Sequence, residues 1–232
     1  KECFWGIDGN TITSYSDKPN SLYLNNNQVI ISWTDLRFGN NTKNFGQKIY
    51  NGWDNFEIED GYTLSNSLAQ DYPLLGNVGN NIMHIFPDIS AEVKLKYQLL
   101  DQDLNLLGND TGELVNPLSD YPQFYTFDFI NDNDSNSYLV FSEQELFAAF
   151  NIFMQKFNED GIPIFSSPIS IISNFNADEN VRSIHDIPGE GLMIIFGSEH
   201  WQTGRKIKLI AVDYNGEILP EWTGNIDICN VD

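Results

Sequence analysis

One short apolar run recurs four times along this chain, and a period of that length restricts the fold more than any other feature. The copies are Val29-Ile30-Ile31-Ser32-Trp33, Ile82-Met83-His84-Ile85-Phe86, Tyr138-Leu139-Val140-Phe141 and Leu192-Met193-Ile194-Ile195-Phe196. Each ends in an aromatic, and the aromatics are spaced 53, 55 and 55 residues apart. An acid follows each one: Asp35, Asp88, Glu143 and, one place later, Glu199. Runs of this length with Gly-containing turns between them read as strands.

Other landmarks keep the same phase. Upstream lies an Asp-x-Pro-like lead-in: Asp17-Lys18-Pro19, Asp71-Tyr72-Pro73, Asp120-Tyr121-Pro122 and the degenerate Asp178-Glu179-Asn180. Downstream come a second strand (Phe45 to Tyr50, Val93 to Leu100, Phe150 to Phe157, Ile207 to Val212) and a last one (Phe56 to Leu64, Leu106 to Val115, Ile164 to Ile172, Ile218 to Ile228). Asn158-Glu159-Asp160-Gly161 and Asp213-Tyr214-Asn215-Gly216 between them are tight-turn chemistry, because Gly accepts positive φ. Helical signals are nearly absent. Each unit supplies four short strands, which is the pattern of a propeller blade. One blade cannot bury both of its faces, so blades must stack.

The expected fold is therefore all-β and β-propeller-like, one repeat domain over residues 1–232. Its units are approximately 17–70, 71–119, 120–177 and 178–232. Residues 1–16 resemble the last strand of a unit, since Phe4 to Thr13 parallels Phe56 to Ser65. They read as the end of a preceding blade in a larger propeller, or as a strand that closes a ring of four.

The first unit carries Trp33-Thr34-Asp35-Leu36-Arg37-Phe38-Gly39 and then Gln70-Asp71-Tyr72-Pro73. These segments resemble the Trp-x-Asp-x-Arg-x-Gly repeats of secreted and cell-surface proteins of the Bacteroidetes type. The other three units keep the aromatic, the acid and the phase but lose the Arg. The resemblance implies a propeller-like fold and export, often by a type IX-like route. It implies no particular chemistry, because a fold hosts many functions.

Charge narrows the partners. With 33 acidic and 12 basic residues the formal net charge is -21, so bare nucleic acid is excluded as a partner. Anionic membranes repel such a chain, and no apolar run approaches the roughly 20 residues that span a bilayer. Residues 1–16 lack the basic start and apolar run of a signal peptide, so any such peptide is expected to be gone already. The chain is expected outside the cell or on its surface. Cys3 and Cys229 stand near opposite ends and read either as a disulfide clasp or as two separate thiols.

The candidate ligand-binding residues are the repeated acids Asp35, Asp88, Glu143 and Glu199, together with Arg37, Trp53 and Trp201. Acids at strand ends either collect a ligand on one face or cap local turns. Aromatics near turns either stack on sugars or pack between blades. Asp132 and Asp134, in Asn131-Asp132-Asn133-Asp134-Ser135-Asn136, offer oxygen at alternate positions, as calcium requires, yet lack the Gly and Glu of a complete EF-hand loop. No other cofactor is indicated. The three arginines Arg37, Arg182 and Arg205 fall at different phases, against a sialidase-like grip on a carboxylate. No catalytic residue is assigned. The leading expectation is a non-catalytic binding or scaffold module for a protein or glycan, and not an enzyme. The alternatives are a propeller glycoside hydrolase and a structural subunit of a surface assembly. Oligomeric state is not legible.

Overall fold

The structure is a computed structural model that describes residues 20–24, 28–35, 42–49, 61–69, 73–90, 93–116, 123–144, 149–173, 176–200, 202, 204–222 and 226–231. Among them there is no helix. The strands form four antiparallel sheets, each built from consecutive stretches of chain. The chain groups into two compact units, Lys1–Leu114 and Val115–Asp232.

In the first unit, β1 (Asn20–Leu24), β2 (Gln28–Asp35), β3 (Lys43–Ile49) and β4 (Tyr62–Thr63) make one sheet. The next sheet comprises β5 (Leu74–Val78), β6 (Asn81–Asp88), β7 (Lys94–Leu100) and two short pieces, β8 (Leu106–Leu107) and β9 (Glu113–Leu114). Both pieces pair with β7, so they share the place of a fourth strand. The break between them is a glycine-bounded excursion, with Gly108 and Gly112 at φ 75° and 74°, a conformation that costs a side-chain-bearing residue energy.

The second unit holds β10 (Gln123–Asn131), β11 (Ser137–Gln144), β12 (Phe150–Phe157) and β13 (Ile169–Ile172), then β14 (Ala177–Ile187), β15 (Gly191–His200), β16 (Gly204–Asp213) and β17 (Ile226–Val231). The apolar runs recognised in the sequence are the second strands β2, β6, β11 and β15. They are continuous because both of their faces are covered, as in β11, where seven of eight residues are buried. Tyr138, Val140, Ile152 and Met154 pack with Val181, Leu192, Ile194 and Phe196 in one core cluster of the second unit. Leu24, Ile30 and Leu64 pack with Leu75, Ile82 and Leu100 in the first. Each fully buried side chain of this size contributes about 1.5–3 kcal/mol.

Polar side chains tie the first strands of neighbouring sheets. In the first unit Asn20 Oδ1 accepts the backbone N–H of Leu75 at 3.0 Å. In the second, Asp128 Oδ2 accepts the N–H of Ile184 at 2.9 Å. That N–H is offered beside a register shift between Val181 and Ser183. A bulge frees such a donor from the ladder.

Four of the described turns share one form. Asp101, Asp132, Asn158 and Asp213 each accept, through Oδ1, the N–H groups two and four residues on. The fourth residue of each loop has positive φ: Leu104, Ser135, Gly161 and Gly216. Asp-Gly and Asn-Gly chemistry was legible at the last two only.

Candidate functional site

Two polar clusters stand out, one in each unit. In the second unit, the end of β11 meets the start of β14. Ser142 Oγ accepts the N–H of Val181 at 3.0 Å, and the N–H of Phe150 donates to Asp178 Oδ1 at 3.1 Å. The strands that make these contacts also carry two carboxyl side chains with little exposure, Glu143 at 4% and Glu179 at 0%. Asn116 Nδ2 donates to Glu143 Oε2 at 3.0 Å, and Ser198 Oγ donates to Glu179 Oε1 at 3.1 Å. Asn151 lies opposite Glu143 in the ladder. A buried charge is costly unless it is satisfied, so burial this deep on neighbouring sheets marks these two carboxyls out from the other acids of the second unit.

Lower on the same sheets, Asp128 is half-buried. Burial raises its carboxyl pKa above the ordinary range; the N–H groups of Ile184 and Phe129, and the charge of His185, oppose that rise without cancelling it.

In the first unit, a cavity of about 520 Å³ opens where the fourth strand is broken. Its floor is Asp88, 6% exposed. Lys96 Nζ lies 2.7 Å from Asp88 Oδ2, the Ser90 hydroxyl donates to the same carboxylate, and Ser67 Oγ lies 3.3 Å from it. Burial pushes that carboxyl up, but Lys96 and Ser90 outweigh it, and its pKa ends below the usual value. Asp88 is therefore a fixed anion, unsuited to donating a proton near neutral pH.

The remaining sequence candidates are dispersed. Glu199 is half exposed and pairs with Arg205 at 3.0 Å in solvent, a contact worth little. Asp132 accepts four hydrogen bonds, from the backbone of Asp134 and Asn136, the Asn136 amide and the Tyr138 hydroxyl. Asp134 is exposed on the same turn. Among the described residues no group of three or more His, Cys, Asp and Glu side chains could hold a metal ion. Asp35 closes β2, with its side chain outside the described residues, and Cys229 sits in β17 opposite Ile207. Arg37, Trp53, Trp201, Cys3 and the segment 1–16 lie outside the described residues.

Sequence reasoning missed Glu179, which it treated as part of a degenerate lead-in. It also missed Gln98 and Gln155, buried on the third strands β7 and β12, whose side-chain amides donate to the fourth-strand side at Leu107 O (2.8 Å) and Phe165 O (3.2 Å). A glutamine also stands on β3, Gln47. Their recurrence was the available signal.

No protein-family model matches the chain. No curated protein matches it either. Solved structures do. An endo-arabinase from Bacteroides thetaiotaomicron aligns over 94% of this chain and 82% of its own, with TM-score 0.59 and 13% identity. An α-L-arabinanase from Penicillium chrysogenum complexed with arabinobiose aligns over 90% and 65%, with TM-score 0.65 and 8% identity. An α-L-arabinofuranosidase from Fusarium graminearum, in complex with an iminosugar inhibitor, aligns over 90% and 65%, with TM-score 0.60 and 10% identity. The expected all-β, propeller-like fold is borne out. The expectation of a non-catalytic module that is not an enzyme is corrected: the solved structures sharing this fold are described as glycan-cleaving enzymes, which favours the hydrolase alternative. Across its length the chain is similar in fold to propeller glycoside hydrolases.

Proposed function

We propose that this protein is a glycoside hydrolase acting on polysaccharides of the arabinan or arabinofuranose-substituted type. One observation carries the reading: the solved structures that share its fold over about nine-tenths of its length are described as an endo-arabinase, an arabinanase and an arabinofuranosidase. Glycoside hydrolysis needs two carboxyl groups, one protonating the leaving oxygen and one activating water or attacking the sugar. Glu143 and Glu179 are the nominated pair, because they are the carboxyl side chains of the second unit that are almost wholly buried among the described residues. Asn116, Asp178 and Ser198 hold this region in place. An extracellular or surface location fits a polymeric substrate, as does export of the kind that the Trp33 to Gly39 segment suggests.

The test is turnover of linear and branched arabinan, arabinoxylan and β-1,3-galactan, followed by product chromatography. E143Q and E179Q keep the side-chain shape and remove the acid. Each is expected to lower turnover at least about 100-fold, as loss of acid–base catalysis does, with the thermal midpoint retained. Absence of products on every polymer, or wild-type turnover by both variants, refutes the proposal.

A further inference from the structure

The cavity beside Asp88 is lined wholly by residues of the first unit and shares none with the nominated carboxyls. It exists because the fourth strand stops at Leu107 and resumes at Glu113. The intervening loop is anchored, not merely looped out. The N–H of Asn66 donates to Asp110 O at 2.8 Å, the Asn66 amide donates to Asp110 Oδ2 at 2.9 Å, and Ser67 Oγ donates to Thr111 O at 2.8 Å. Lys96 Nζ also reaches Thr111 O at 3.2 Å. The wall is thus built before any ligand arrives, and such preorganisation lowers the cost of binding.

Charge selects the ligand. The chain carries a formal net charge of -21, yet the cavity is lined by two acids, Asp88 and Glu113, and two ammonium groups, Lys94 and Lys96. A simple anion is disfavoured, because Asp88 already takes the charge of Lys96 and Glu113 repels it. A metal cation meets two ammonium groups. What fits four charges that sum to zero, with the hydroxyls of Ser90 and Thr111 between them, is a neutral ligand rich in hydroxyls. A volume of about 520 Å³ lies within the range of small-molecule pockets, and exceeds what one sugar ring needs.

We propose that this cavity is a second glycan site, which holds a neutral oligosaccharide segment through ring hydroxyls without cleaving it. Glu113 accepts from those hydroxyls and Lys94 donates to them, while Asp88 holds Lys96 and Ser90 in place beneath. The proposal takes its ligand class from the hydrolase reading but does not need that reading's catalytic assignment.

The test is affinity electrophoresis of the intact protein through gels containing arabinan, arabinoxylan or β-1,3-galactan, beside turnover of short arabino-oligosaccharides. The rim variant K94A/E113A leaves the formal charge of the chain unchanged, so free mobility is comparable. Wild type is expected to be retarded by at least one neutral polymer. E143Q/E179Q is expected to be retarded equally, and K94A/E113A to lose at least about three-quarters of the retardation with short-substrate turnover unchanged. Equal retardation of K94A/E113A and wild type overturns the proposal, as does a wild type that no polymer slows. Retardation lost only in E143Q/E179Q also overturns it, because the nominated carboxyls would then hold the polymer alone. Turnover without retardation spares the hydrolase reading and sinks this one.

Discussion

Lowering the pH from 7 to 5 should destabilise the first unit through one side chain, His84. It sits in the middle of β6, completely buried, with its ring stacked on Phe86 at a centroid distance of 4.7 Å. Thr34 Oγ1 donates to Asn44 Oδ1 at 2.9 Å, which turns the Asn44 amide nitrogen toward His84 Nε2 at 3.1 Å. Nε2 must then accept, so the ring proton sits on Nδ1. A second proton on Nε2 would face a donor across a dry contact. Burial accordingly lowers the His84 pKa to about 3, against a smaller opposing effect of the Leu64 backbone. In the unfolded chain the ring protonates near pH 6.5. Between pH 6.5 and 3 the unfolded state therefore binds one more proton than the folded state. Stability is fully present above pH 6.5 and falls by about 1.4 kcal/mol per pH unit below it. At pH 5 the loss amounts to about 2 kcal/mol. The assay is urea denaturation at half-unit steps from pH 7.5 to 5, for wild type and for H84Q, whose amide oxygen can accept from Asn44 but cannot titrate. Aspartates and glutamates titrate mostly below this window, so the difference between the two curves isolates the histidine. H84Q should be the less stable protein at pH 7, and the gap should narrow by about 2 kcal/mol by pH 5. Parallel curves would refute the argument, because they would mean that the buried ring gains its proton as easily as an exposed one.

Three further outcomes follow from local geometry. Ser135→Gly should raise stability by about 0.5–1 kcal/mol in thermal melts, because the exposed serine holds φ 65° and relief of that strain exceeds the entropy gained by the unfolded chain. Leu104→Gly, at φ 64° in the equivalent turn, should have the opposite sign and cost about 2 kcal/mol or more, since Leu104 is 2% exposed within the core cluster. Gly191→Ala should destabilise by more than about 3 kcal/mol by urea midpoint, or prevent folding: an added Cβ would overlap the Val212 carbonyl oxygen and lie 2.7 Å from Asp213 Cα, and because the obstacle is the backbone of β16 there is no cheap escape.

The repeats were legible because burial leaves a simple trace. The second strands are covered on both faces, so their sequences are continuous apolar runs that any reading finds. The first strands hid better. Asn20 to Leu24 alternates exposed and covered positions, and Ala177 to Ile187 carries Asp178, Glu179, Asn180, Arg182, His185 and Asp186. These strands are tied to their neighbours by polar side chains and bulges, so hydrophobic periodicity understates them. The fourth strand of the second sheet erred the other way. Leu106 to Val115 reads as one strand, yet Gly108 and Gly112 break it.

The same contrast governs the sites. Asp88 and Glu143 hold the same place in the repeat and Glu199 stands one place later, and phase alone says little about which of them is buried. Their fates differ because the neighbours that decide burial come from elsewhere in the chain. Asp88 lies under a loop anchored by Asn66 and Ser67. Glu143 is met by Asn116, 27 residues before it. Glu199 pairs with Arg205 across its own hairpin and stays in water. A repeat thus specifies where an acid stands relative to its sheet, while the segments between repeats specify what that acid can do. Divergence of function along such a chain should therefore concentrate in those segments. The 108–112 excursion is the clearest case, since it alters one sheet edge and leaves the strand quartet that supports it intact.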